Sequence, residues 1–546
     1  MFSTKMMIQF VRRSSLFALL FTCVECCIRP APSVGNFTFA SYYGDHMVLQ
    51  RGPKQAIIWG YGPSPGSDVT VSLSGETPIS VKVDKGNTWK VKLAAVTDTK
   101  PHTITAMSSS GTIMLSDVLF GDVWICSGQS NMVFIMRHLF NATEEIADAV
   151  NYPDIRIFTV GMEFSSVPLS DLKSVMESWS LPNKETVGGD GFFSAVCFLY
   201  GKRLYNKLKY PIGLVTSAWG GTPIETWSDT TALKKCNIPT FDNENNENNV
   251  LWVPTAPSLL WNAMMFPLTN MTIYGALWYQ GEANAIPPAN PNTYNCTFPA
   301  MISSWRETFH VNSEMQTDEQ FPFGFVQLGP WKNDSSITTG FPDLRWHQTA
   351  DYGYVPNAKM NNVFMATALD LPDFSSPYGG IHPRDKQDVA DRLLLSGLTV
   401  AYGRNAGKYQ GPFPTKYFMD TQSKTYLITY DDDSAEIDVR SEDGYEVCCS
   451  EIKTSDCSTE DSTWVAAPIT DHDKQTVSIS YKGCASPYVV AIRYAWRESP
   501  CPFKKCAVYS IENNLPAPPF IQHLAQPSDT LLYHSGNVVI PELIKH

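Results

Sequence analysis

The sequence predicts an α/β fold, in which a mostly parallel sheet with helices is flanked by an N-terminal and a C-terminal β module. Short strand-like runs fill residues 37–118, where Gly, Pro, Ser and Asp separate them. From about residue 119, strand-like runs alternate with turns and helical stretches, which is typical of a parallel sheet. Beyond about residue 405 the pattern is again that of strands alone. We therefore predict a signal peptide (1–27), an N-terminal module (28–118), a central α/β unit (119–405) and a C-terminal module (406–546).

The N-terminal module has the strand pattern of a small sandwich. Several of its runs alternate apolar with polar residues, as half-buried strands do. The predicted strands are Ala56–Gly60, Val69–Leu73, Ile79–Val83, Trp89–Leu93 and Thr103–Ala106. No cluster of acids, bases or nucleophiles stands out among them, so we interpret this part as a packing or glycan-facing accessory module.

The central unit supplies the strands of the predicted parallel sheet. They are Val123–Cys126, Ile155–Val160, Ile212–Thr216, Tyr274–Tyr279, Phe323–Leu328 and Val363–Leu369. Helices are predicted over Met132–Val150, Phe192–Leu208 and from Pro383 to about Val400. Polar residues follow most of the strands, and in parallel sheets the carboxyl ends of the strands face the ligand site. The site is therefore expected at that edge.

The C-terminal module is predicted to be all β and to be held by disulfides. Its strands are Thr425–Tyr430, Glu436–Val439, Thr476–Tyr481 and Val489–Tyr494. Six of the 13 cysteines of the chain lie between Cys448 and Cys506, and four more lie between Cys126 and Cys296. In an oxidising compartment this pattern indicates disulfides. Zinc is the less favoured alternative, because the 448–506 stretch has one histidine and no Cys-x-x-Cys pair.

Composition limits the classes of function. The chain has 546 residues, of which 43% are hydrophobic, and 14 tryptophans, so it can bury a large core. A formal net charge of −13 argues against nucleic acid or an anionic membrane surface as a partner. After the N-terminus no run of about 18 uncharged apolar residues occurs, so no membrane span is expected.

The N-terminus has the pattern of an export signal. Basic residues, among them Lys5 and Arg12, precede the apolar run Leu16–Phe21, which is too short to cross a bilayer. Cleavage is expected between Thr22 and Pro30. Five N-x-S/T sequons also fit a lysosomal or secreted glycoprotein of the secretory pathway, and they lie at Asn36, Asn141, Asn270, Asn295 and Asn333.

Ser130 is the candidate nucleophile. It follows the strand Val123–Cys126 in a turn that contains Gly128 and Asn131, where a hydroxyl and neighbouring N–H groups can face one space. An ordinary Ser-Gly turn is the alternative, because the Gly-x-Ser-x-Gly pattern is absent. Ser127 is the rival nucleophile, although it lies three residues nearer the strand.

The other parts of a hydrolytic site follow later strands. His382, in a loop before the last helix, is the leading general base, and His347 is its competitor. Gly220 and Gly221 allow main-chain N–H groups to approach a substrate, and Gln280 and Asn284 bring side-chain amides to the same edge. The histidines show no metal-ligand spacing, so we expect neither a metal nor another cofactor.

Four sequence blocks around these residues resemble those of the SGNH-type carbohydrate esterases. The blocks are Gly128–Met132, Gly220–Glu225, Trp278–Glu282 and Ile381–Gln387. From about Phe39 to Phe520 the chain resembles the members of this family that remove O-acetyl groups from sialic acids. The resemblance implies an SGNH-hydrolase-like fold and a serine esterase that releases acetate from O-acetylated sialic acid or a sialoglycan.

The resemblance also implies roles for single residues. It places the nucleophile on Ser130 and the base on His382. It places oxyanion donors on the Ser130 N–H, on the glycines at 220–221, and on an amide of Gln280 or Asn284. Arg345 could pair with the sialate carboxylate, or it could form a structural salt bridge.

One position departs from the family pattern. The family usually has an aspartate three residues before the histidine, and this chain has Gly379 there. Asp370 is therefore our first choice for the acid that orients His382, and Asp373 is the second. Two rival functions stay open, namely an acetyl esterase for xylan-type polysaccharides and an inactive glycan-binding protein.

Overall fold

The fold was analysed in a computed structural model of the chain. It describes residues 29–30, 37–189, 193–240, 253–430, 436–452, 457–458, 463–524 and 537–539. The predicted signal peptide, residues 1–27, lies outside the described residues.

The described residues contain 26 strands, which include every strand predicted from the sequence. Most bounds differ from the prediction by at most two residues, but the strand that contains Val123–Cys126 begins 12 residues earlier, at Gly111. In chain order they are β1 (Arg29–Pro30), β2 (Thr38–Phe39), β3 (Val48–Gln50), β4 (Ile57–Tyr61), β5 (Asp68–Leu73), β6 (Ile79–Lys82), β7 (Thr88–Lys92), β8 (His102–Ser108), β9 (Gly111–Gly128), β10 (Ile155–Val160), β11 (Ser174–Ser180), β12 (Ile212–Ala218), β13 (Gly275–Tyr279), β14 (Phe323–Gln327), β15 (Val363–Thr367), β16 (Pro414–Asp420), β17 (Thr425–Tyr430), β18 (Ile437–Val439), β19 (Tyr445–Ser450), β20 (Trp464–Ala466), β21 (Ile469–His472), β22 (Thr476–Ser480), β23 (Tyr488–Tyr494), β24 (Val508–Ser510), β25 (Phe520–His523) and β26 (Asn537–Val539).

The described α-helices are fewer than the strands, and the longest of them has 19 residues. They are α1 (Ser130–Val133), α2 (Ala142–Asp148), α3 (Lys184–Gly188), α4 (Ala195–Leu208), α5 (Thr230–Lys235), α6 (Glu282–Ala285), α7 (Tyr294–Asn312), α8 (Phe341–His347) and α9 (Lys386–Val400). Single 3₁₀ turns lie at Met136–His138, Ala149–Asn151, Ile224–Trp227, Phe266–Asn270 and Pro291–Thr293, and a π turn lies at Trp261–Met265.

The predicted α/β fold is confirmed by a sheet whose strand order is β1-β11-β10-β12-β9-β13-β14-β15. The six strands from β10 to β15 in this order are parallel to one another. At one edge, β11 pairs antiparallel with β10, and β1 pairs antiparallel with β11. Because β9 lies in the middle and is buried on both faces, its carboxyl end opens at the centre of the sheet edge.

Helices cover both faces of the sheet. Gly324 is paired with Phe364 in the β14–β15 ladder, so the Phe364 ring and the rings of Phe323 and Phe325 point to opposite faces. Phe364 packs against Gly397 of α9, whereas Phe325 packs edge-on against Phe298 of α7. The sheet is therefore the middle layer of a three-layer core.

One helix prediction was wrong. The stretch predicted as a single helix, Met132–Val150, is broken into α1, a 3₁₀ turn and α2. The break follows Val133 because the next residues pair with the start of α4: Ile135 forms a β-bridge with Ser194, and Ala195 N–H donates to the Phe134 carbonyl. Tertiary pairing here overrides the helical period.

The N-terminal module is joined to the central sheet by one strand. The first half of β9 pairs with β8, and its second half pairs with β12 and β13. The boundary predicted between residues 118 and 119 therefore lies inside a continuous 18-residue strand.

The ten cysteines from Cys126 onward form five disulfides. The pairs are Cys126–Cys197, Cys236–Cys296, Cys448–Cys457, Cys449–Cys484 and Cys501–Cys506. Three of them lie within the C-terminal module, as the clustering predicted. The first joins β9 to α4, close to the turn that carries Ser130.

No helix within the described ranges has the length and apolar content needed to cross a membrane.

Candidate active site

Ser130 stands at the carboxyl end of the central strand. β9 ends at Gly128, whose φ of +139° lies in a region that side chains rarely adopt. A Cβ on Gly128 would lie 2.2 Å from the carbonyl oxygen of Tyr279, so glycine is also required by space. The backbone then turns sharply, and Ser130 becomes the first residue of α1 with a partly exposed side chain.

His382 meets Ser130, although 252 residues separate them in the chain. Ser130 Oγ lies 2.8 Å from His382 Nε2, and the other ring nitrogen, Nδ1, lies 2.8 Å from the carbonyl oxygen of Tyr378. A carbonyl can only accept, so Nδ1 carries the proton and donates it to Tyr378. Nε2 of the neutral ring is then the acceptor for the Ser130 hydroxyl, which is the arrangement that a general base requires.

The surroundings of His382 favour its neutral form by lowering its pKa. Burial lowers the pKa of His382 below its ordinary value, and the nearby Lys386 lowers this pKa further, whereas the bond to the Tyr378 carbonyl raises it. Burial also lowers the pKa of the neighbouring His138, to about 4. The ring centroids of His138 and Tyr378 lie 3.9 Å apart. Tyr378 is 36% exposed beside the Ser130–His382 pair, which is called the dyad below.

The loop that carries His382 is closed on itself by Asp373, the second choice for the orienting acid. The carboxylate of Asp373 accepts from the Arg384 guanidinium at 2.7 and 2.9 Å, and this arginine holds the pKa of Asp373 below its usual value. Ser376 Oγ donates to the main-chain carbonyl of His382 at 2.8 Å. Asp373 therefore braces the two ends of the loop, and its carboxylate accepts from Arg384 and Ser375 rather than from the imidazole.

Asp370, the first choice for the orienting acid, is engaged elsewhere. Its carboxylate is fully buried and accepts from Arg392 at 2.6 and 3.0 Å and from the Tyr509 hydroxyl at 3.0 Å. The bond from His382 Nδ1 goes to a main-chain carbonyl instead. The expectation of an Asp370–His382 pair thus differs from the structure, because a buried cation on α9 takes this carboxylate.

The glycine pair lies next to the serine. A Cβ on Gly220 would lie 3.4 Å from Ser130 Cβ, so the main chain at Gly220 passes directly beside the nucleophile. Gly221 follows with a φ of +77° and is exposed.

Gln280 and Asn284 hold the segment after the glycines by hydrogen bonds. Gln280 Nε2 donates to the Thr222 carbonyl and to Asn284 Oδ1. Asn284 Oδ1 accepts from Ile224 N–H, and Asn284 Nδ2 donates to the Glu225 carboxylate. Both amides are buried, and these bonds engage their N–H groups within the protein. Their expected role as oxyanion donors is therefore replaced by one of bracing the glycine loop.

Arg345 cannot meet a substrate in this structure. Its guanidinium is fully buried and donates to the carbonyls of Leu328, Arg497 and Glu498 at 2.7–2.8 Å. Burial lowers its pKa to about 10. The residue joins the central unit to the C-terminal module, which corrects the expectation of a pairing with a sialate carboxylate.

The two competitor residues lie apart from the dyad. Ser127 is fully buried within β9. His347 bonds to Asp351 at 2.6 Å and to Asn292 at 3.1 Å.

Across the described ranges, no group of three or more His, Cys, Asp or Glu side chains is arranged to hold a metal ion.

Three polar residues next to the dyad were missed by the sequence analysis. They are Asn131, Glu282 and Lys386, and the buried side chain of Asn131 bonds to the other two between the Ser130 turn and the His382 loop. Asn131 and Glu282 lie within two of the four sequence blocks that resemble the esterase family, but nothing in the sequence indicates that the two side chains meet. Lys386, at the start of an amphipathic helix, has the pattern of an exposed residue.

The sequon asparagines differ in accessibility. Asn36 lies outside the described residues. Asn141 and Asn333 are exposed. Asn270 and Asn295 are half-buried, and their amides bond to a lysine ammonium and to an aspartate carboxylate, respectively.

Comparisons with known proteins show the family of the chain. Residues 120–374 match the family described as carbohydrate esterase, sialic acid-specific acetylesterase, and residues 415–524 match the sialate O-acetylesterase C-terminal domain. The chain is 44% identical over 527 residues to the sialate O-acetylesterase of Mus musculus, and the alignment covers 90% of this chain and 95% of the relative. It is 44% identical over 517 residues to that of Homo sapiens, with coverage of 92% and 95%.

A solved structure with a similar fold is that of a carbohydrate acetylesterase from Xanthomonas citri. The two chains share 27% sequence identity and superpose with a TM-score of 0.72. The superposition covers 89% of this chain and 99% of the other, so it includes both flanking β modules.

Proposed function

Because this chain belongs to the sialate O-acetylesterase family, we propose that it hydrolyses O-acetyl esters of sialic acids with Ser130 as nucleophile and His382 as general base. Membership of the family makes it a carboxylic ester hydrolase of the carbohydrate esterase type. The observation that carries the residue assignment is the 2.8 Å contact between Ser130 Oγ and His382 Nε2.

Acylation begins with removal of the Ser130 proton. His382 Nε2 accepts this proton while Ser130 Oγ bonds to the acetyl carbonyl carbon, which gives a tetrahedral oxyanion and an imidazolium. The imidazolium then donates the proton to the sugar oxygen as the ester bond breaks. The products of this step are the free sugar hydroxyl and an acetyl group on Ser130.

Main-chain N–H groups are the proposed oxyanion donors. Ser130 is the first residue of α1, so its own N–H has no acceptor inside that helix. The N–H of Gly220 belongs to the loop that passes beside Ser130. Removal of one such donor typically costs about 10²–10³-fold in kcat.

Deacylation repeats these steps with water in place of the sugar. His382 takes a proton from water, the hydroxide attacks the acetyl carbonyl, and the imidazolium returns the proton to Ser130 Oγ as acetate leaves. The dyad needs no acid to choose the tautomer of His382, because the Tyr378 carbonyl already accepts from Nδ1.

The proposed substrate is an O-acetylated sialic acid or sialoglycan, and the proposed location is the secretory pathway, in lysosomes or outside the cell. The five disulfides support an oxidising compartment. The exposed sequons at Asn141 and Asn333 support passage through a glycosylating one.

The assignment is tested by Ser130→Ala, with Ser127→Ala as the matched control in the same strand and turn. We expect Ser130→Ala to abolish acetate release from 4-nitrophenyl acetate and to prevent labelling by a serine-reactive phosphonate. Ser127→Ala should keep both. Full activity of Ser130→Ala, or labelling at Ser127, would refute the assignment.

The substrate class is tested with a panel of acetylated sugars. We expect acetate release from O-acetylated sialic acids at a higher kcat/KM than from acetylated xylan. A preference for xylan would exclude the sialate assignment while leaving the esterase assignment intact. Absence of phosphonate labelling in the wild type would indicate a binding protein without catalysis.

A further inference from the structure

A buried cluster of polar side chains joins the serine turn to the histidine loop. Lys386 Nζ donates to Asn131 Oδ1 at 2.7 Å, and Asn131 Nδ2 donates both to the carbonyl of Ile381 at 2.9 Å and to Glu282 Oε1. The exposed fractions of Lys386, Asn131 and Glu282 are 0%, 2% and 2%. All three groups are therefore held away from water, and Asn131 bonds to the other two.

The partners of Asn131 leave its amide a single orientation. The carbonyl of Ile381 can only accept, so it must face the Nδ2 side, and an ammonium can only donate, so Lys386 must face Oδ1. Both N–H groups of the amide are used. A flipped amide would place an oxygen against two other oxygens.

Asn131 is adjacent to Ser130 in the chain, and Ile381 is adjacent to His382. The bond from Asn131 to the Ile381 carbonyl therefore runs beside the contact between Ser130 Oγ and His382 Nε2. We propose that Asn131, held in one orientation by Lys386 and Glu282, is a positioning residue that sets the distance between the nucleophile and its base. This inference rests on the proposed function of the dyad.

The weak orienting bond of His382 explains why a positioning residue is useful in this site. His382 Nδ1 bonds to a neutral main-chain carbonyl, and such a bond is about half as strong as one to a carboxylate. The imidazole is thus held less firmly than in a triad that contains an acid. The amide bridge compensates by fixing the main chain on both sides of the reacting pair.

The cluster keeps its bonds in more than one protonation state. Burial lowers the pKa of Lys386 to about 7 and raises the pKa of Glu282. Lys386 Nζ can donate whether it is charged or neutral. Glu282 Oε1 can accept when the proton is on Oε2, an atom without a hydrogen-bond partner among the described residues. Lys386 Nζ also lies over two aromatic rings, 4.8 Å from the ring centroid of Phe134 and 5.1 Å from that of Tyr279.

The first test removes the bridge. We expect Asn131→Ala and Lys386→Met each to lower kcat about 10–100-fold, since misplacement of reacting groups by about 1 Å can cost about 10²-fold. KM should change less than about threefold, because ground-state binding is not touched. The rate of phosphonate labelling of Ser130 should fall in parallel. The matched control is Asn357→Ala, which removes a buried asparagine amide that, like that of Asn131, donates two hydrogen bonds; those of Asn357 go to two main-chain carbonyls outside the site.

The control separates positioning from loss of stability. Asn357→Ala should lower the midpoint of thermal unfolding without changing kcat per phosphonate-titrated site. A second pair of variants tests the acceptor at position 282. Glu282→Gln keeps an acceptor for Asn131 and should retain kcat within about threefold, whereas Glu282→Ala removes the acceptor and should lower kcat about tenfold or more.

The outcomes distinguish this inference from the proposed function. Asn131→Ala with kcat within twofold of the wild type, or equal activity of the two Glu282 variants, would overturn the positioning role while Ser130→Ala stays inactive. An active Ser130→Ala variant would instead overturn the proposed function itself.

Discussion

Replacement of Asp370 by asparagine separates a structural carboxylate from a catalytic one. Asp370 stands where the last parallel strand ends, which is a common place for the acid of a triad. In the structure its two oxygens accept from Arg392 and Tyr509, and it is fully buried. We therefore expect Asp370→Asn to lower the stability of the protein and to leave the chemical step nearly unchanged.

The size of the effect follows from the buried ion pair. Asparagine keeps one acceptor oxygen but leaves the Arg392 guanidinium, whose side chain is 8% exposed, without its counter-charge. Breaking a buried pair by removal of one partner typically costs about 3–5 kcal/mol. Removal of an acid that orients a catalytic histidine would instead lower kcat about 10⁴-fold.

The measurement combines urea unfolding, followed by tryptophan fluorescence, with initial rates normalised to phosphonate-titrated sites. Glu446→Gln is the matched control, since Glu446 is another buried carboxylate paired with an arginine, Arg493, and lies in the C-terminal module. Both variants should shift the unfolding midpoint and keep kcat within a few-fold. A 10⁴-fold loss of kcat in Asp370→Asn with unchanged unfolding would refute the structural role.

Three further predictions follow from the site. In a plot of kcat/KM against pH, the fall of activity on the acid side should have its inflection below pH 6.5, because burial lowers the pKa of His382 and the neutral ring is the active form. An inflection above pH 6.5 would indicate a carboxylate partner for His382. Gly128→Ala should reduce phosphonate labelling of Ser130 by about 10²-fold or more, since the new Cβ would lie 2.2 Å from the Tyr279 carbonyl; wild-type labelling would contradict the tight turn. Arg345→Met should lower the urea midpoint while KM for O-acetylated sialic acids stays within twofold, and a tenfold rise in KM at unchanged stability would restore a substrate-binding role.

The parallel sheet could be predicted because its strands are buried on both faces. Such strands are continuous apolar runs between turn residues, and Ile155–Val160 has the same bounds in the sequence prediction and in the structure. The helix α7 was not predicted, and it contains Pro299, a residue that usually marks a helix end. The break after α1 depends on pairing with residues 194–195, about 60 positions away, which no local pattern reports.

The candidate site was predictable to the extent that chemistry requires certain residue types. A nucleophile and a base had to lie at the carboxyl edge of the sheet, and Ser130 and His382 lie 2.8 Å apart there. The roles of Asp370, Arg345 and Gln280 could not be assigned by type, because a carboxylate, a guanidinium or an amide serves a substrate or a fold equally well. What decides between these roles is the partner that each side chain finds, and those partners come from other parts of the chain.

The orienting group of His382 shows why the sequence alone could not complete the site. Every residue has a main-chain carbonyl, so the bond from His382 Nδ1 to the Tyr378 carbonyl does not require a particular amino acid at position 378. The bond requires a loop of one shape, and that shape is encoded by side chains that never touch the imidazole: Asp373 and Arg384 close the loop, and Asn131 ties it to the serine turn. The pattern of an acid three residues before the histidine is thus replaced by a set of bonds that hold the loop. It follows that variants of Arg384 should change the reactivity of Ser130 even though this arginine contacts neither member of the dyad.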